Sequence, residues 1–332
     1  MRSVEVPEDT QVYEKEDASR IEANIDNSDE AKEAMKIGID GIGLLRSEYM
    51  FMDKKRMPSE KEQFYFIKKT LNHLKGKPLT IRTLDIGNDK KVPFIEKFLA
   101  KSPNPALGLR AIRLTLAFPK IFKRQISAIL RASKFGKIRI MLPMVSNVSE
   151  ILEAKKLIND VSKDLSLKKK EFNRRNIKIG VLIETPAAAL ISESLAQNCD
   201  FLAIGTNDLT MYTLAIDRGD EEVAKIYDPA HLSVLRLIKL SSDSAKKVGV
   251  PVSVCGEMAG DTMFTSLLLG MGIKTLSMSI SRILKVKQFI TKIDSKEVFK
   301  ICNEIFREHD NLLIKRKLKV YYDQIYDELN KA

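Results

Sequence analysis

The feature that most constrains the fold is a repeated alternation of short apolar runs with longer amphipathic segments. Residues 19–25 alternate in the manner of a strand, the polar cluster 26–29 is suited to capping a helix, and residues 30–36 read as that helix, closed by Gly38. Further strands are predicted at 41–45, 78–85, 138–145, 177–183, 201–204, 250–254 and 275–279. Helical patterns at 60–74, about 107–130, 148–165, 231–244 and 262–269 separate several of them, and Thr185 with Pro186 opens another helix as N-cap and first-turn proline. About eight strands, each followed by a helix, are the number and order of a (β/α)8 TIM barrel of the α/β class. The expected organisation is a single domain: a short N-terminal lead over 1–18, the barrel over 19–290, and a C-terminal helical extension over 291–332.

A barrel of this kind places the residues at its strand C-termini on one face, where active sites form. Here those residues are Asn24, Arg46, Arg82, Asp85, Glu184, Asn207, Asp208, Cys255 and Glu257. Taken singly, each has a plain structural reading. An arginine such as Arg46, Arg82, Arg110, Arg113 or Arg218 is most often half of a rim ion pair, and a lone Cys255 is most often a small buried apolar group. Their convergence is what points to a site, because independent ion pairs need not all fall at strand ends.

The chemistry of that set is specific. Glu184 and Asp208 end neighbouring strands, and two carboxylates held close together form a hard-oxygen site that suits magnesium, with a phosphate completing the shell. Guanidinium groups bind phosphate in a planar, bidentate way that lysine cannot copy. Cys255 adds a thiol whose ordinary pKa of about 8.5 keeps it protonated at neutral pH, so it can serve as a general acid. Transfer of a phosphoryl group from an enol phosphate leaves an enolate that must be protonated on carbon, and a phosphate site beside a thiol acid fits that need.

Composition narrows the partners. The formal charge of +12 admits any polyanion, but much of the excess lies in lysine-rich segments such as 165–175. With no zinc spacing and no aromatic-basic stripe, a nucleic-acid role would rest on charge alone. Cys199, Cys255 and Cys302 have no paired spacing, which argues for a reducing compartment. No apolar run approaches the ~20 residues of a membrane-spanning helix. The reading is a cytoplasmic protein with neither a membrane nor a nucleic-acid partner.

Six segments carry a resemblance. Gly41-Ile-Gly-Leu-Leu-Arg-Ser-Glu-Tyr-Met-Phe-Met52, Arg82-Thr-Leu-Asp-Ile-Gly-Asn-Asp-Lys90, Asn104-Pro-Ala-Leu-Gly-Leu-Arg-Ala-Ile-Arg113, Glu184-Thr-Pro-Ala-Ala, Gly205-Thr-Asn-Asp-Leu-Thr-Met-Tyr-Thr-Leu-Ala-Ile-Asp-Arg-Gly219 and Val254-Cys-Gly-Glu-Met-Ala-Gly-Asp261 are involved. Together, over about 22–290, they resemble the phosphoenolpyruvate-binding domain of Enzyme I of the bacterial sugar phosphotransferase system. The resemblance implies a barrel that binds phosphoenolpyruvate with Mg2+, releases pyruvate and dimerises. It implies that Arg46, Arg82 and Arg218 hold the phosphate with Arg110 and Lys90 in support, that Glu184 and Asp208 hold the metal, that Asn207 contacts the substrate, and that Cys255 protonates the enolate. Asn88, Met211, Leu232 and Ile280 depart from the family's usual residues, in loops rather than in the charged set. None of His73, His231 and His309 lies in a motif resembling the family's phosphoryl-accepting histidine. The expectation is that a separate phosphohistidine domain accepts the group and passes it to a histidine phosphocarrier protein. Two other readings stand beside this one: the corresponding barrel of pyruvate phosphate dikinase or phosphoenolpyruvate synthase, and a module that senses phosphoenolpyruvate without turning it over.

Overall fold

Short apolar runs bounded by polar residues form strands when both faces can be covered, and here one face meets helices and the other meets the remaining strands. The computed structural model describes residues 19–52, 54–87, 92–96, 104–217 and 219–330. The expected lead over 1–18 and the departure at Asn88 lie outside the described residues. The strands are β1 (Arg20–Ile25), β2 (Gly41–Arg46), β3 (Leu79–Arg82), β4 (Ile138–Leu142), β5 (Ile177–Ile183), β6 (Phe201–Ile204), β7 (Val252–Val254) and β8 (Thr275–Ser279). They pair in that order, all parallel, and close into a barrel through β8 against β1, with Arg20 opposite Thr275 and Asn24 opposite Ser279. The (β/α)8 expectation holds.

Side chains of alternate strand residues fill the barrel in layers, as the two-residue strand period requires. Near the N-terminal end, Arg139 of β4 reaches across the barrel to both carboxylate oxygens of Glu22 in β1, at 2.7 and 2.6 Å. Above that pair lies an apolar layer of Leu44, Met141, Leu182, Phe201 and Ala203, which Cys255 joins at its upper edge. The charged rim residues stand on top.

Gly180 belongs to this interior and pairs in register with Phe201. A Cβ built there would lie 2.5 Å from ring atoms of Phe201, so the glycine exists to admit the ring. Gly180→Ala is expected to destabilise the chain by about 1–3 kcal/mol through overpacking. The effect should appear as a lower denaturant midpoint and be partly recovered by adding Phe201→Leu; a midpoint at or above that of the parent would contradict it.

The helices outside the barrel start where the sequence supplies caps. Ser59 and Glu62 form a capping box at Glu60–Leu74, as do Asn147 and Glu150 at Val148–Leu167, and the Thr185 hydroxyl accepts from Ala188 N–H. His231, expected inside a helix, caps one instead: its ring nitrogen accepts from Ser233 N–H ahead of Leu232–Val248. The helical stretch expected at about 107–130 is divided, because Phe118 adopts φ −122° and ψ 72° before Pro119. That is the restriction a proline places on the residue before it. Beyond β8, Ile280–Ile290 packs back on β1 as the last helix of the barrel, and Ser295–Phe306 and Asn311–Asn330 lie against Thr262–Gly270.

Candidate functional site

The C-terminal rim surrounds a cavity of about 510 Å3. Of the side chains singled out from the sequence, Arg46, Arg82, Arg110, Glu184, Asn207, Asp208 and Cys255 all line it. Arg218 and Lys90 lie outside the described residues.

Arg82, the last residue of β3, is buried and ion-paired with Glu48 and with Asp85, the latter at 3.1 Å. Burial alone would favour its neutral form, but the charges of Glu48, Asp85, Glu184 and Asp208 outweigh that and hold the guanidinium's proton more tightly than usual. Arg110 is equally enclosed. Its Nε and Nη2 donate to Asp85, at 3.3 Å for Nε and at 2.9 and 3.1 Å for Nη2, and Nη2 stands 3.7 Å from Asp208. Asp85 therefore holds two guanidiniums at once. Arg46 stands nearer the mouth, partly exposed, with Nη1 donating to Asp26 at 2.9 and 3.2 Å.

Glu184 follows β5 and is 1% exposed. Its Oε1 accepts the Met144 backbone N–H at 2.6 Å, and Met144 meets it from a left-handed conformation, φ 56°. A non-glycine residue in that region is sterically disfavoured and is tolerated where surrounding structure fixes it, often at a ligand site. Gly205, at the end of β6, leaves room for the carboxylate: a Cβ there would lie 3.1 Å from Glu184 Oε2. Burial first, then the carboxylates of Asp208 and Asp85, push the Glu184 carboxyl well above the usual range, against the opposing pull of Arg82 and Arg110.

Asn207 and Asp208 lie in the first turn of Thr206–Leu214, and both line the cavity. The Asn207 amide is braced by Glu257: its Nδ2 donates to Glu257 Oε1 at 3.0 Å, and Glu257 N–H donates to Asn207 Oδ1 at 2.9 Å.

Cys255 is 4% exposed. Its backbone is held from two sides: its N–H donates to Ile204 O at 3.0 Å, and its carbonyl accepts from Asn24 Nδ2 at 2.9 Å, with Asn24 in turn receiving the Ser277 hydroxyl at 2.6 Å. Burial pushes the thiol up to about 12, so it keeps its proton through the neutral range. It is thereby a neutral candidate acid beside a cluster of charged groups.

The charge balance bears on a cation. Among the described residues the cavity is lined by the carboxyl groups of Glu48, Asp85, Glu184, Asp208 and Asp217 and by the guanidiniums of Arg46, Arg82 and Arg110. The carboxyl groups outnumber the guanidiniums, a balance that a bound cation would relieve. A divalent ion held by Glu184 and Asp208 fits that donor set. No group of three or more His, Cys, Asp or Glu side chains is arranged to hold a metal among the described residues, so two carboxylates would leave the other ligand positions to substrate and water.

Glu48 and Tyr212 were not among the predicted site residues. Glu48 follows Arg46 by two positions, and Tyr212 follows Asp208 by four, which puts both on one helix face; those spacings were the available signals.

The fold is a closed parallel barrel whose C-terminal rim sets guanidiniums, carboxyl groups and a protonated thiol around one cavity. The chain belongs to the PEP-utilising enzyme family, whose PEP-binding domain it matches over residues 2–295. It is 42% identical over 285 residues to a protein of Staphylococcus epidermidis named phosphoenolpyruvate-protein phosphotransferase, covering 86% of this chain and 49% of that protein. Proteins of the same name from Cupriavidus necator and Haemophilus influenzae are 42% and 43% identical, over 87% and 83% of this chain and 49% and 47% of theirs. The chain spans about half the length of these curated relatives.

Proposed function

We propose that this chain is the phosphoenolpyruvate-binding barrel of a phosphoenolpyruvate-protein phosphotransferase, giving the phosphoryl group to a histidine on a separate domain and releasing pyruvate in support of sugar uptake. The observation that carries the reading is the placing of Arg82, Arg110, Glu184, Asp208 and Cys255 around a single cavity. The names of the relatives support the same assignment. A histidine phosphocarrier protein downstream, a homodimer and a cytoplasmic location belong to this reading as well. Among the described residues no helix is long and apolar enough to cross a membrane.

In this assignment the arginines take the phosphate. Arg82 and Arg110 are already charged and oriented, so little reorganisation is needed when negative charge spreads over the transferring group. Arg46 stands nearer the mouth; Arg218 is assigned a share of the phosphate and Lys90 a supporting role, and Asn207 fixes the substrate's orientation. Glu184 and Asp208 would hold Mg2+, which when bound supplies positive charge to the oxygens of the substrate. As the bridging P–O bond breaks, its electron pair stays on oxygen and gives the enolate of pyruvate, while phosphorus bonds to the acceptor nitrogen. Cys255 then gives its proton to the methylene carbon of the enolate. The resulting thiolate is strongly basic in its buried setting and is reprotonated by water.

Calorimetric titration with phosphoenolpyruvate in the presence and absence of Mg2+ tests the site. The parent chain should bind with a marked Mg2+ dependence, and Glu184→Gln should lose that dependence while remaining folded. Equal binding by both proteins with and without the metal would remove the metal assignment. Supplying a purified phosphohistidine domain should then yield pyruvate; a chain that binds phosphoenolpyruvate yet never forms pyruvate would be a sensor.

A further inference from the structure

We propose that Tyr212 is a positioning residue of the anion site, fixing the Arg110 guanidinium and the loop that carries it. The proposal deepens the phosphoenolpyruvate-binding reading and rests on it. Tyr212 sits on Thr206–Leu214, one turn beyond Asp208. Its hydroxyl donates to the backbone carbonyl of Ala106 at 2.6 Å and accepts from Arg110 Nη1 at 3.3 Å. Burial, only partly offset by the charge of Arg110, pushes the phenol up to about 12, so the donating proton is retained at working pH.

The consequence for Arg110 is geometric. Nε and Nη2 are committed to Asp85 and Nη1 to Tyr212, so every nitrogen of the planar group is engaged and its rotation is fixed. The loop needs such a brace. Ala111, directly after Arg110, holds φ at 52°, a conformation costly for any residue bearing a Cβ, and its N–H is tied to Ile86 O at 3.2 Å. Ala106 itself lines the cavity. One hydroxyl thus joins the helix carrying Asn207 and Asp208 to the loop carrying Arg110, two segments about a hundred positions apart in the chain. An anion entering the cavity meets a guanidinium whose direction was set before it arrived, and the ordering cost of binding is reduced accordingly.

Tyr212→Phe removes the hydroxyl and keeps the ring, and its thermal midpoint serves as the check on folding. Two readouts are made on the full chain. The first is the side-chain Nε–H resonance of Arg110 followed by NMR without ligand: in the parent it should report a rigid group, and in Tyr212→Phe a mobile one. The second is phosphoenolpyruvate affinity with Mg2+ by calorimetry. Loss of one hydrogen bond to a charged group should weaken binding about tenfold. In an Arg110→Lys background the same substitution should change affinity less than about twofold, because the partner it acts through is gone. Equal losses in both backgrounds, or an Arg110 signal unaltered by Tyr212→Phe, would overturn the proposal. If the parent fails to bind phosphoenolpyruvate, the substrate assignment falls, and the Arg110 signal still decides the role of Tyr212.

Discussion

Arg82→Ala is expected to weaken phosphoenolpyruvate binding about a hundredfold or more, read by calorimetry with Mg2+ present. Two costs combine. The direct one is the loss of a charge-assisted, bidentate partner for the phosphate, of the size found when one member of a buried charged pair is truncated, about 2–5 kcal/mol. The other falls on the protein. Glu48 and Asp85 are each 2% exposed, and both are paired with Arg82. Removing the arginine takes away its ion pairs to Glu48 and Asp85, and breaking a buried pair in this way costs about 3–5 kcal/mol of stability. The variant should therefore unfold at lower denaturant as well as bind poorly. Arg82→Lys separates the two effects: it restores a charge between the carboxylates but not the planar fork, so stability should return further than affinity does. Affinity in Arg82→Ala within about threefold of the parent would show that this arginine is a structural ion pair alone.

Cys255→Ala should leave phosphoenolpyruvate affinity almost unchanged and slow pyruvate formation roughly 10²–10⁴-fold, the usual contribution of a placed general acid. The assay uses the chain with a supplied phosphohistidine domain. In deuterated water, a stereochemically labelled substrate should lose its facial preference for protonation, since bulk solvent then delivers the proton from either side. The thiol also leaves a mark on stability. Its folded pKa, near 12, lies above the ordinary value of about 8.5, so between those values the folded state holds a proton that the unfolded state has lost. Stability from this group is full below about pH 8.5 and declines as the pH rises toward 12. The alanine variant should lack that decline when denaturant midpoints are compared at pH 8 and pH 10. Undiminished turnover with retained stereochemistry would remove Cys255 from the reaction.

How much of this was legible beforehand varies by element. β5, β6 and β8 fall where they are predicted, the first two because each is an apolar run ended by a sharp polar change and β8 because its polar and apolar residues alternate after Gly270 and Gly272. β3 is shorter than its apolar run implied, since after Arg82 the chain leaves the ladder with its groups still satisfied: Thr83 N–H donates to Met141 O, and Leu84 N–H to the Gln125 side chain. Pattern alone cannot separate a buried loop stabilised this way from a continuing strand. The rim positions of Arg46, Arg82, Glu184, Asp208 and Cys255 were legible because a barrel converts strand ends into neighbours. Their partners were not. That Glu48 meets Arg82, or that Tyr212 meets Arg110, depends on side-chain directions across loops, which no local period encodes.

The bridge from Ser277 through Asn24 to the Cys255 carbonyl reaches 253 positions along the chain in its first hydrogen bond and 231 in its second. It joins the first strand to the last two, so the group assigned to deliver the proton gains its setting only once the ring of strands is complete. A chain with six native strands and an open seam would offer arginines and carboxylates but no ordered acid. Fast, stereoselective turnover in such a protein reports full closure, and a partly assembled molecule that captures phosphoenolpyruvate would be left with the slow, solvent-delivered proton until the seam joins.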